Sequence, residues 1–146
     1  MNYRDDFTFN RKLSMLTISI GLLFFYFGIL KLFPSASPAE EIGCITVCKL
    51  CLGLLPPKIC LFLLAALEIT IGSFLIARKY LRIITVIAIS HLVMTFSPII
   101  FFPDLIFQDS FLTPSLLGQY IYKNIIIIFA LVVIFPVKNT LSLDNA

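Results

Sequence analysis

The 146-residue chain is strongly apolar: 60% of its residues are hydrophobic and only 13% are charged, against about 45–50% and about 25% in ordinary globular domains. Its formal net charge of +3 is small, and its basic residues are scattered near the ends of apolar runs, which argues against nucleic-acid binding. A chain of this length can form one helical bundle and no separate soluble domain of ordinary size. The composition therefore predicts an all-α membrane protein in contact with the lipid bilayer.

Four apolar runs are long enough to cross a bilayer, which takes about 20 helical residues. They predict one four-span domain over 13–137, with spans at about 13–33, 58–78, 80–102 and 118–137. Polar tails at 1–12 and 138–146 then lie on one side of the membrane. Because that side carries seven of the eleven Lys and Arg residues, the positive-inside rule predicts that both termini are cytoplasmic.

The segment between the first two spans differs from its surroundings. Residues 34–57 are bounded by prolines, carry charges of both signs and are too mixed to span. Ser37 to Glu40 reads S-P-A-E, a helix start with proline at the first helical position. The apolar positions that follow predict a short amphipathic helix on the outer membrane surface.

That segment also contains a C-x-x-C pair, Cys48 and Cys51. Disulfides persist on the outer face of a membrane, so a thiol–disulfide oxidase that uses these two thiols is one alternative. Against it, the thioredoxin-like context that would strengthen the motif is absent, and cysteine is a common small apolar residue in membrane helices. No metal site is predicted, because the sole histidine, His91, lies at mid-depth in another span.

Two ionisable residues fall at the middle of spans. Glu68 shares a face of the second span with Ala65 and Gly72, at i, i+3 and i+7. His91 has the same relation to small and polar neighbours in the third span, with Thr95 one turn further on. A carboxylate at this depth is unfavourable unless it is neutralised, paired or hydrated, so it is by default a functional hypothesis.

The other two spans supply lysines. A stripe of mostly small or polar residues in the first span ends at Lys31; it comprises Thr17, Gly21, Phe24, Gly28 and Lys31. In the fourth span, the predicted inner face comprises Gln119, Lys123, Ile126 and Ala130. We therefore expect Lys31, Glu68, His91 and Lys123 to converge on a polar pocket in the outer half of the bundle. The alternative is that both lysines extend to the outer surface, Glu68 is protonated or bonded to one neighbour, and His91 is a hydrogen-bonded core residue.

Several motifs, taken in order and spacing, resemble the DoxX-like family of small four-helix membrane proteins. They are FGILK (27–31), SPAEE (37–41), LEITIG (67–72), HLVMTFSP (91–98), FFPD (101–104) and GQYIYKN (118–124). The resemblance implies a multi-pass protein of the bacterial inner membrane, and an association with quinone-linked oxidoreductases. The cysteines are not part of the family pattern.

Together these observations predict a redox-associated, quinone-linked membrane subunit. Glu68 and His91 are its candidate catalytic residues, which would move protons. The candidate residues of a pocket for a quinone-like head group are Lys31, Lys123, Gln119, Asn124 and Thr95. A membrane or periplasmic oxidoreductase is the expected partner. A small proton or solute transporter and a non-catalytic accessory subunit are the alternatives, so the sequence leaves open whether the protein is an enzyme.

Overall fold

The computed structural model describes residues 3–33, 45–46, 49, 56–108 and 113–135. The three long ranges contain helices and no β-strand: α1 (Tyr3–Leu30), α2 (Pro57–Ala77), α3 (Leu81–Met94), α4 (Ser97–Phe101), α5 (Pro103–Ile106) and α6 (Leu116–Ile134). The segments long and apolar enough to cross a membrane are Phe7–Leu30, Pro57–Ala77, Leu81–Phe101 and Leu116–Ile134. The prediction of an all-α, four-helix membrane bundle is confirmed. The predicted surface helix between the first two spans falls almost entirely outside the described residues.

Two spans differ from the predicted bounds. The first helix already begins at Tyr3, because helical hydrogen bonding continues into polar residues that hydropathy excludes from the span. The third span consists of two helices, α3 and α4, with Thr95 and Phe96 between them. Pro98 explains this interruption, since its missing N–H cannot bond to the carbonyl of Met94. The Ser97 hydroxyl donates to that carbonyl instead, at 2.8 Å.

Helices α1 and α2 are antiparallel and pack backbone against backbone. A Cβ added at Gly72 would lie 2.5 Å from the backbone N of Phe25 and 2.7 Å from the carbonyl O of Gly21. A Cβ at Gly28 would lie 2.8 Å from the backbone N of Ile69. Both contacts are too short for a side chain, so glycine at these positions sets how closely the two helices approach.

The apolar core lies where the four spanning helices face one another. Its buried members are Ile20, Phe24, Ile71, Leu75, Ile84, Ala88, Leu92, Leu131 and Ile134. Large apolar side chains also cover the outside of the bundle; Ile126 and Phe129 of α6 are 72% and 67% exposed. An apolar exterior of this kind suits contact with lipid chains.

The connection from α2 to α3 has only three residues. Arg78 and Tyr80 adopt left-handed backbone conformations, with φ of 54° and 53°. The N–H of Arg78 bonds to the carbonyl of Leu75 and that of Lys79 to the carbonyl of Phe74, both at 3.1 Å, which closes the end of α2. The turn therefore directs α3 back alongside α2.

The start of α6 is fixed against α5. Ser115 is the N-cap: its hydroxyl accepts from the N–H of Gly118 at 3.1 Å and donates to the carbonyl of Leu105 at 2.7 Å. A Cβ at Gly118 would overlap the carbonyl oxygen of Ile106. This cap sets where α6 enters the bundle.

Candidate functional site: a buried lysine–glutamate–histidine triad

Glu68 is the central residue of the candidate site. It is the twelfth residue of α2, which places it about 16 Å along the helix and near the middle of the membrane. Its residue surface is only 7% exposed. Because α1 lies close against α2 at Gly28 and Gly72, the carboxylate faces another helix rather than lipid.

Lys31 bonds to one oxygen of this carboxylate. Its Nζ donates to Glu68 Oε2 at 2.5 Å, and the lysine side chain is 9% exposed. Lys31 follows the last residue of α1, and its Nζ also lies 3.5 Å from the carbonyl oxygen of Phe27. The lysine therefore extends back into the bundle, although a lysine at a helix end commonly extends outward.

His91 bonds to the other oxygen. Its Nε2 lies 3.2 Å from Glu68 Oε1, and its side chain is 7% exposed. The ring of Phe24 packs against the imidazole, with the ring centroids 6.0 Å apart and the planes at 55°. Each carboxylate oxygen thus has a partner from a different helix, and the triad joins α1, α2 and α3.

The single hydrogen bond between Glu68 and His91 is a path along which a proton can move. Either Nε2–H of His91 donates to the carboxylate or a protonated carboxyl donates to Nε2, so proton transfer between Glu68 and His91 needs no rearrangement. The ammonium of Lys31 balances the charge of the carboxylate. An unpaired acid at this depth would lack this compensating charge. The site can therefore hold and exchange a proton in an apolar medium.

Thr95 and Asn124 form a second polar contact beside the triad. The Nδ2 of Asn124 donates to the Thr95 hydroxyl at 2.8 Å, and that hydroxyl donates to the carbonyl of Leu92 at 2.6 Å. This contact joins α6 to the end of α3, one turn beyond His91. Polar side-chain bonds therefore link all four spanning helices.

Two of the predicted pocket residues lie apart from the triad. Gln119 and Lys123 are exposed, and the Nζ of Lys123 lies 5.1 Å from the ring centroid of Tyr120. The face of α6 that enters the bundle carries Ile121 and Leu131 instead. Of the predicted inner face of the fourth span, only Ala130 packs against the core, and the structure brings together three of the four expected ionisable residues.

The thiol alternative falls largely outside the described residues. Cys48 and Cys51 are not among them, whereas Cys60 is buried in α2. Within the described ranges, His, Cys, Asp and Glu side chains form no group of three that could hold a metal ion.

Sequence reasoning did not assign a role to two residues near the triad. Phe24 lies in the predicted stripe of the first span, and the spacing shared with Gly28 and Lys31 was the signal that it would face the bundle; its contact with His91 comes from the structure. Thr85 is fully buried on α3, and its Oγ1 has no hydrogen-bond partner. Only its position three residues before Ala88, and therefore on the same face of the helix, hinted at burial.

No known protein family, characterised protein or solved structure matches this chain. The resemblance to the DoxX-like family therefore stays a prediction, and the functional argument depends on the site itself.

Proposed function

We propose that the protein is a DoxX-like, multi-pass protein of the bacterial plasma membrane, with both termini cytoplasmic, that serves as a redox-associated, quinone-linked subunit. The observation that carries the proposal is the mid-membrane carboxylate of Glu68, bonded to Lys31 at 2.5 Å and lying 3.2 Å from His91. In this orientation the triad lies in the outer half of the bilayer or at its middle. A membrane or periplasmic oxidoreductase partner supplies or receives the electrons.

The residues of the triad suit a quinone head group in their chemistry. A quinone dissolves in the same apolar phase as the bundle, accepts hydrogen bonds at its carbonyl oxygens and takes up protons when it is reduced. Lys31 and His91 provide N–H donors, and the carboxylate of Glu68 can take up a proton from His91. Buried polar groups such as these discriminate strongly in favour of a ligand that hydrogen-bonds to them.

A thermal-shift experiment on the purified protein tests the proposal. Ligand binding to the folded state at 100 times its Kd stabilises by about 2.7 kcal/mol. We expect added quinone to raise the Tm of the wild type and of Asp104→Asn, an exposed acid outside the triad. The shift should disappear in Glu68→Gln and His91→Asn. An equal response in all four proteins, or none in the wild type, would exclude quinone binding at the triad.

Thr85 favours a second candidate, a proton or solute transporter. Its buried, unpartnered hydroxyl lies on α3 about 9 Å from His91 along the helix, towards the α2–α3 turn. A transport path needs polar groups at more than one depth, and Thr85 provides one on the far side of the triad from Lys31. In proteoliposomes, Glu68→Gln should then abolish proton or solute flux without any dependence on quinone.

A non-catalytic accessory role uses the same fold differently. The apolar exterior of α6 would then contact a partner subunit, and a second protein would remain bound during purification in mild detergent. Absence of a quinone shift and of flux, together with such a bound protein, would favour this role over the other two.

A further inference from the structure

The interruption of the third span lies directly after His91. Helix α3 ends at Met94, and Thr95 lies about 21 Å along the span from Leu81, within the membrane. His91 occupies the last turn of α3, and its carbonyl accepts from the N–H of Thr95 at 3.1 Å. The position of the imidazole therefore depends on how this helix end is held.

The end of α3 is held from α6. The Thr95 hydroxyl is oriented by its bond to the carbonyl of Leu92, which leaves its lone pairs free to accept from Asn124 at 2.8 Å. Elsewhere α6 contributes apolar side chains to the core, among them Leu131 and Ile134. Within the described ranges, this side-chain hydrogen bond joins α6 to the span that carries His91.

We propose that Asn124 is a positioning residue for the triad: through Thr95 it fixes the end of α3, and so holds the His91 imidazole against Glu68. The proposal deepens the proposed function, on which it rests for the role of His91. It assigns Thr95 and Asn124 to support of the imidazole rather than to contact with a ligand. The charged groups near the imidazole are Glu68 on α2 and Lys31 on α1, while on α6 the ammonium of Lys123 lies over Tyr120.

The test uses the fact that His91 is the only histidine in the sequence. Selective ¹⁵N-histidine labelling of the full chain in detergent micelles gives the ring signals of a single imidazole, so the solvent exchange of its ring N–H can be followed by NMR. Loss of one interhelical hydrogen bond in a membrane protein corresponds to about a threefold change in the open population. We expect Asn124→Ala and Thr95→Val each to accelerate this exchange about threefold relative to the backbone amides of α2, which are followed in a second, uniformly ¹⁵N-labelled sample.

Two variants are the controls. Thr95→Ser keeps the hydroxyl, and Gln119→Ala alters an exposed side chain on the same helix as Asn124; both should exchange as the wild type does. If Asn124→Ala does not fold, the Thr95→Val and Thr95→Ser pair gives the same comparison.

Unchanged exchange at His91 in Thr95→Val and Asn124→Ala would overturn the proposal. So would an equal acceleration at the α2 amides, because it would indicate a general loss of stability. The measurement needs no quinone and no flux. The absence of a quinone-dependent shift in Tm and of flux would refute the proposed function. A selective change in exchange at His91 in the same protein would leave the positioning role intact.

Discussion

The α1–α2 interface and the α3–α6 interface each hold a polar contact inside an apolar bundle, but they differ in its charge and in how closely the helices approach. At the first, glycines bring two backbones into contact and a charged pair, Lys31 and Glu68, lies beside them. At the second, larger side chains separate the helices and the polar contact is neutral, from Asn124 to Thr95. Among the described residues, the buried Lys31–Glu68 pair therefore lies on the side where the helices are closest.

The difference has a physical basis. Close helix approach excludes lipid and water, which strengthens the attraction between opposite charges and raises the penalty for leaving one unpaired. A neutral hydrogen bond tolerates partial exposure, and Thr95 and Asn124 are only half-buried. The two interfaces should consequently respond to substitution with very different magnitudes.

The largest effect is expected from breaking the charged pair. Lys31→Met leaves the carboxylate of Glu68 with His91 alone, and loss of one partner from a buried pair costs about 3–5 kcal/mol. The double variant Lys31→Met/Glu68→Gln should lose less than Lys31→Met does. Reversible unfolding in mixed detergent, followed by circular dichroism, measures both, with the exposed Lys58→Met as the matched control. A double variant that loses as much stability as Lys31→Met, or more, would contradict this interaction.

Adding one methyl group at the glycine contact should have the next largest effect. In Gly72→Ala the new Cβ meets the backbone of Phe25, which cannot move independently of its helix, so we expect a loss of about 2 kcal/mol. Gly28→Ala should cost less, because its closest backbone contact is longer, at 2.8 Å. The same unfolding assay checks this order, and Ser73→Ala on the exposed face of α2 is the control. A Gly72→Ala protein as stable as the wild type would mean that the helices are less closely packed than described.

Breaking the neutral contact should have a smaller effect on stability. Asn124→Ala removes one interhelical hydrogen bond, for which about 0.6 kcal/mol is typical in a membrane protein. Unfolding of Asn124→Ala and Gln119→Ala, compared side by side, isolates the contribution of the bond. A loss as large as that of Lys31→Met would remove the contrast between the two interfaces.

The smallest effect is expected at the lysine that lies outside the triad. Lys123 is exposed and its ammonium lies over Tyr120, so Lys123→Met should change the free energy of unfolding by less than about 0.5 kcal/mol. The quinone-dependent shift in Tm should also be retained. Loss of that shift in Lys123→Met would return this lysine to the binding pocket predicted from sequence.

Sequence reasoning succeeded where the signal was a break in uniform hydrophobicity. In the first two spans, residues such as Gly28, Lys31, Glu68 and Gly72 interrupt apolar runs at helical spacing, and they do mark the buried faces. The fourth span offers four consecutive isoleucines, Ile125 to Ile128, which present the same side chain in every direction. They do not show which side of the helix faces the bundle, so the prediction placed the exposed Gln119, Lys123 and Ile126 on the inner face.

The two lysines show why spacing alone could not define the site. Lys31 follows the C-terminal end of α1 and Lys123 lies in the N-terminal half of α6. A lysine in either place can extend inward to an acid or outward to water. Lys31 extends inward because Gly28 lets α1 approach the helix that carries Glu68. The described part of α6 has no such close approach to Glu68. Which helices approach closely depends on tertiary packing, and the spacing of residues in one helix does not contain it.

The three-residue turn at Arg78–Tyr80 has a consequence for how the protein is made. A connection this short has a small loop-closure entropy, so α2 and α3 can associate as a hairpin as soon as both have been synthesised. Glu68 and His91, 23 positions apart in the sequence, can then meet across this short turn, whereas Lys31 is 37 positions from the acid. A carboxylate that would otherwise resist transfer from the translocation machinery into lipid thus has a hydrogen-bond partner encoded in the next span to emerge.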